Sequence, residues 1–183
     1  MQELIYEPSF WSATIIVFGL VPAIFGMLIG TPKGRSKEVI WANRGIGVDI
    51  VFVLLPFIFY AIGNILNGMY AKFMSSPELP MAAMILFALT IFSMLKGLSA
   101  SASTGNIATE AFLVGTLLSI LLMLSCGAYI SWLAFSQQVS PWFGVFNSIL
   151  IIFAVTFTFA INAAMAYVSK YPERFGGNSS TER

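Results

Sequence analysis

The groups from which acid–base chemistry would have to be built are eight carboxylates: Glu3, Glu7, Glu38, Asp49, Glu78, Glu110, Glu173 and Glu182. Each falls in a polar segment or at the edge of an apolar one. An aspartyl hydrolase working inside a bilayer needs two facing buried carboxylates. Proton relays need chains of buried Asp, Glu or His. The chain has no histidine, which removes serine–histidine hydrolysis and haem held by histidine. Its single cysteine, Cys126, leaves no Cys/His metal site and no disulfide within the chain. Neither a phosphate-binding glycine loop nor a dinucleotide fingerprint occurs. The expectation is a protein that is not an enzyme and holds no metal or cofactor. A net charge of +1 gives no basic surface for nucleic acid.

Binding chemistry then rests on polar residues beside or within the apolar stretches. Asp49 and Glu110 both sit where such a stretch begins, with Arg44 and Lys96 close to the same boundary. A carboxylate in the first turn of a helix is favoured by the orphan N–H groups and the macrodipole, which accounts for both. The alternative is that Arg44, Asp49, Lys96 and Glu110 form a charged cluster at the inner mouth of a pathway. Pro22 and Pro56 deprive the carbonyls of Phe18 and Phe52 of their helical donors. At about 1.5 Å per residue, both prolines lie on the order of 12 Å from the inner boundary. Two kinks at one depth would shape a hinge or cavity, as in transporters. Isolated prolines are also tolerated in membrane helices without such a role. Asn147, Thr158 and Asn162 share a helical face, which makes them either glue between helices or the lining of a cavity for a neutral or weakly charged solute.

Small residues mark where helix backbones can approach. Gly19, Ala23, Gly26 and Gly30 fall on one face of the first apolar stretch. Ala111, Gly115 and Ser119 follow at four-residue spacing in the fourth, and Ala160 and Ala164 in the fifth. Such stripes serve packing within one chain or contact with a partner or second copy.

The elements that carry these residues are read from composition. Hydrophobic residues make up 58% of the 183, and charged residues 9%, against about 25% charged in soluble domains. Apolar runs of this length predict an all-α integral membrane protein. The spans are placed at residues 10–30, 48–66, 81–100, 111–133 and 142–168, making residues 1–170 one five-helix transmembrane domain. Residues 171–183 are expected to be a flexible cytoplasmic tail. The third span is the shortest in strictly apolar residues, and snorkelling of Lys96 would extend it. Asn67-Gly68 is expected to end the second span. Thr109 is expected to cap the fourth, and Ser140-Pro141 to open the fifth. The N-terminal segment lacks the cations of a signal peptide, so the first span is read as uncleaved.

Five alternating spans gather Lys33, Arg35, Lys37, Arg44, Lys96, Lys170, Arg174 and Arg183 on one side and leave Lys72 alone on the other. The positive-inside rule then puts the N-terminus outside and the C-terminus in the cytoplasm. Trp11, Trp132 and Trp142 fall at outer ends, and Trp41 and Tyr171 on the inner side, as interfacial rings should. A four-span reading without the third helix would split the cations between the two sides. The cationic segment 31–47 would attract anionic lipid by about 1 kcal/mol per charge, and could dock a cytoplasmic partner. The segment 101–110 is expected to be a mobile loop.

The function that follows is non-catalytic. The chain would act by helix–helix contact, as a subunit or assembly factor of a membrane complex or as an immunity or exclusion protein. The competing class is a small-solute transporter, a channel or the membrane component of one. A bacterial inner membrane is the expected location. The partners would be the lipid bilayer and other membrane proteins, with a homo-oligomer open.

Overall fold

The computed structural model describes residues 7–29, 37–102, 109–136 and 140–170, and these are helical apart from short turns. Helix α1 runs over Pro8–Ile29 and α2 over Lys37–Leu66. The short α3 is Tyr70–Met74. The remaining long helices are α4, Glu78–Ala102, α5, Thr109–Phe135, and α6, Phe143–Lys170. Among the described residues, five segments are long and apolar enough to cross a membrane: Pro8–Ile29, Ile40–Leu66, Tyr70–Ser99, Phe112–Phe135 and Phe143–Ser169. Helices apolar all round, as these are, belong in lipid rather than at a water-facing surface.

The expected boundaries shift at several points. Helix α2 begins at Lys37, so the cations Lys37 and Arg44 and the ring of Trp41 stand on a helix and not in a loop. Asp49 is consequently more than three turns into α2, and the first-turn explanation of its charge fails. Glu110 does lie in the first turn of α5. Helix α4 has 25 residues, enough for about 37 Å, so its length does not depend on Lys96. At the two ends of the expected mobile segment the chain is helical, since α4 reaches Ala102 and α5 starts at Thr109 itself. Residues 103–108, Gly30 and the tail lie outside the described residues. Helix α6 starts at Phe143 after a turn in which the Phe143 and Gly144 N–H groups donate to the Ser140 and Pro141 carbonyls.

Two local sequences set the chain direction as physics requires. Helix α2 stops at Gly68, whose φ of +68° suits a residue without Cβ. There the Met69 N–H donates to Asn64 O at 2.8 Å and the Gly68 N–H to Ile65 O at 3.1 Å, the paired closure of a Schellman motif. In α1 the helix widens into a π turn over Ile16–Leu20, directly ahead of Pro22. The wider turn relieves the clash between a proline ring and the carbonyl four residues back. No such turn accompanies Pro56, and α2 continues through it.

Helices α4 and α6 form the centre. Ala82, Ala83, Leu86, Phe87 and Thr90 of α4 are fully buried, as are Asn147, Ser148, Ile151, Ala154, Val155 and Thr158 of α6. Both stripes recur every three to four residues, and their small members let the two backbones close. Phe87 fills the seam edge-on to Phe157, with ring centroids 5.8 Å apart. Helix α1 lies on α6, α2 touches α1, α4 and α6, and α5 packs mainly on α4.

Candidate functional site

Each polar residue singled out in the sequence is placed by this arrangement, beginning with Asn147. It is fully buried, and its amide is spent on hydrogen bonds. Nδ2 donates to Met74 O at 2.9 Å and to Ser76 O at 3.2 Å, while Oδ1 accepts from the Tyr129 hydroxyl at 2.9 Å. One side chain thereby ties α6 to the turn between α3 and α4 and to α5. The rings of Tyr129, Trp132, Phe143 and Phe146 stack around it. Asn147 thus acts as glue between helices.

Eleven residues further along α6, Thr158 meets the same fate. The Thr158 hydroxyl lies 3.1 Å from Leu86 O and 3.1 Å from the Thr90 hydroxyl, with all three groups between α4 and α6. Thr90 also lies 3.1 Å from Leu86 O. Around this node the interior is apolar, formed by Met27, Ile50, Leu54, Cys126, Ile151 and their neighbours. Pro22 and Pro56 do not line it; both are exposed on the outer surface of the helix pack.

Asn162 differs. It lines a cleft of about 530 Å³ between α2, α4 and α6, together with Asp49, Ser93, Lys96 and Ser169. Its Oδ1 is buried and has no hydrogen-bond partner. Asp49 and Lys96 share this cleft, yet among the described residues no ion pair joins them. Of the four charges expected together, Arg44 stands apart: its guanidinium lies over the Trp41 ring, 5.9 Å from the centroid, and its Nε is buried without a partner. The side chains of Glu110 and Ala111 lie outside the described residues.

The small-residue stripes divide. A Cβ at Gly19 would meet Ile152 Cδ1 of α6 at 2.5 Å, and one at Gly115 would collide with the Met94 side chain of α4. Ser119 is fully buried and donates to Gly115 O at 2.9 Å. Ala23 packs against the core. These residues hold the chain's own helices together. A Cβ at Gly26 would meet nothing within 4 Å, and Ala160 and Ala164 are exposed. The small residues that do pack in the core of α4 and α6 are Ala82, Ala83 and Ala154, none of which stood out as a stripe.

A second cleft, of about 600 Å³, lies at the opposite end between α2 and α3, lined by Tyr60, Asn64, Lys72 and Glu78 among others. Asn64 turns its amide back on its own helix, donating to Tyr60 O at 2.9 Å. Thr90, Tyr129, Ser93 and Ser169 were not foreseen. Thr90 and Tyr129 are hydroxyls in apolar runs whose partners only the meeting of helix faces reveals, and Ser93 and Ser169 enter only as lining of the cleft. Comparison with protein-family models, curated proteins and solved structures yields no match to this chain.

Proposed function

We propose that the protein is a non-catalytic, multi-pass membrane component that works by contact with other membrane proteins. It would serve as a subunit or assembly factor, or as an immunity or exclusion protein. The observation that carries this reading is the closed, apolar seam between α4 and α6 at mid-depth. An interior filled by apolar side chains and self-satisfied hydroxyls offers no route through the bilayer, so the outer surfaces are left to act. One of these surfaces has the small residues that helix association uses: Thr156, Ala160 and Ala164 of α6 are exposed at four-residue spacing. The reading includes five spans, an outer N-terminus, a cytoplasmic C-terminus and a bacterial inner membrane, supported by the eight-to-one cation bias.

The test is purification of the tagged protein at native expression in mild detergent, beside an Ala160→Leu/Ala164→Leu variant. A stoichiometric membrane partner or second copy that the variant loses is expected. A wild-type monomer recovered alone would overturn the reading. A second reading, a solute-handling component, is favoured by the cleft in which Asp49, Lys96 and Asn162 converge without pairing. Radiolabelled-solute flux in proteoliposomes separates it, because contact alone produces no flux.

A further inference from the structure

We infer that the cleft between α2, α4 and α6 binds the headgroup of a phospholipid whose phosphate carries a primary ammonium. The argument starts from position. Lys96 is three residues, and Asn162 seven, from the ends of their membrane segments at Ser99 and Ser169. Its deepest lining residues, Leu89 and Val53, lie ten and thirteen residues from Ser99 and Ile40, so the cleft runs roughly 15–20 Å into the membrane-spanning region from one end. Phe52 and Phe92 line it while being 68% and 64% exposed, so its rim carries rings that face lipid. A volume of about 530 Å³ suits a small polar group with chains emerging past those rings.

The chemistry selects the headgroup. Ionisable groups inside a membrane segment are costly and are normally paired. Asp49 and Lys96 are both in the cleft and are not paired with each other or with any other described residue. A zwitterion matches both charges at once: its phosphate faces the Lys96 ammonium, and its own ammonium faces the Asp49 carboxylate. Asn162 refines the choice. Its Oδ1 is a buried acceptor with no donor, on a residue that lines the cleft. A primary ammonium has three N–H groups to share between Asp49 and Asn162, whereas a quaternary ammonium has none. An anionic headgroup without nitrogen satisfies Lys96 alone and leaves Asp49 unmatched. Asp49 has no first-turn explanation, since α2 begins at Lys37. The inference does not depend on a protein partner.

The experiment is lipid retention by the full chain in nanodiscs of phosphatidylethanolamine, phosphatidylcholine and phosphatidylglycerol in equal parts. After mild detergent extraction, bound lipid is read by native mass spectrometry. The expected result is about one phosphatidylethanolamine per chain, preferred over phosphatidylcholine by roughly tenfold or more, the value of a hydrogen bond to a charged group. Asp49→Asn should remove most of that preference, and Lys96→Gln should weaken retention of all three lipids. Leu124→Ala, on the exposed face of α5, should change neither. Equal retention of the two zwitterionic lipids by the wild-type protein would overturn the inference whatever the variants do. Displacement of the bound lipid by millimolar free phosphoethanolamine would overturn the lipid assignment in favour of a water-soluble ligand.

Discussion

Two asparagines on one helix make opposite use of the same side chain. Asn147 has both amide ends engaged, linking α6 to the α3–α4 turn and to α5. Asn162, fifteen residues on, has a buried oxygen with no partner and lines a cleft with two unpaired charges. A buried amide whose bonds are all satisfied within the chain rigidifies the fold, because removing it strands the groups it served. An amide left unsatisfied costs stability and contributes nothing to packing that leucine would not. The difference separates glue from site more sharply than polarity or sequence spacing does. It also restores asymmetry to a helix whose apolar residues alone give little.

Substitutions can break or sharpen that contrast. The largest effect is expected from Asn147→Leu, which leaves the Met74 and Ser76 carbonyls and the Tyr129 hydroxyl without a partner. A loss of about 3 kcal/mol is expected, measured as unfolding in mixed micelles of increasing denaturing detergent. Next comes Gly19→Leu, which drives a side chain into Ile152 and should cost about 2 kcal/mol in the same assay. Gly26→Leu, where nothing lies within 4 Å, should stay within about 0.5 kcal/mol of wild type. Equal losses at the two glycines would mean that α1 does not lie on α6 as described. Smaller than the Gly19 effect is that of Thr158→Val, at about 1 kcal/mol. Combined with Thr90→Val, it should lose less than the sum of the two single changes, since both hydroxyls share one carbonyl. The smallest effect belongs to Asn162→Leu, which removes an unpaired acceptor. Its stability should match or slightly exceed that of wild type. A loss comparable with that of Asn147→Leu would show that Asn162 is structural after all.

The helices were legible in the sequence because lipid demands long apolar runs, and the Asn67-Gly68 stop because a left-handed turn demands glycine. Helix pairing was not. Gly19 and Gly26 belong to one stripe in the sequence, yet one meets Ile152 and the other meets nothing. Small residues permit close approach without specifying the partner. Ala160 and Ala164 looked like packing residues and are exposed, while Ala82, Ala83 and Ala154 do the packing. The charged cluster was half legible. Asp49 and Lys96 come to one cleft because α2 and α4 both flank α6 at the same end. Arg44, five residues earlier than Asp49, instead lies over Trp41. The prolines left two readings open for a plain reason: a missing N–H disturbs its own helix, and which way that helix faces is decided elsewhere.

The central claim is a closed seam beside an open cleft on one helix, and thiol accessibility tests it most directly. In a Cys126→Ala background, single cysteines would replace Thr158 and Asn162, and membranes would be treated with a small water-soluble thiol reagent. The account predicts rapid modification at position 162 and none at position 158 within the same exposure. Modification of both would mean that water reaches the seam between α4 and α6, contradicting the closed interior and moving the protein towards the solute-handling class.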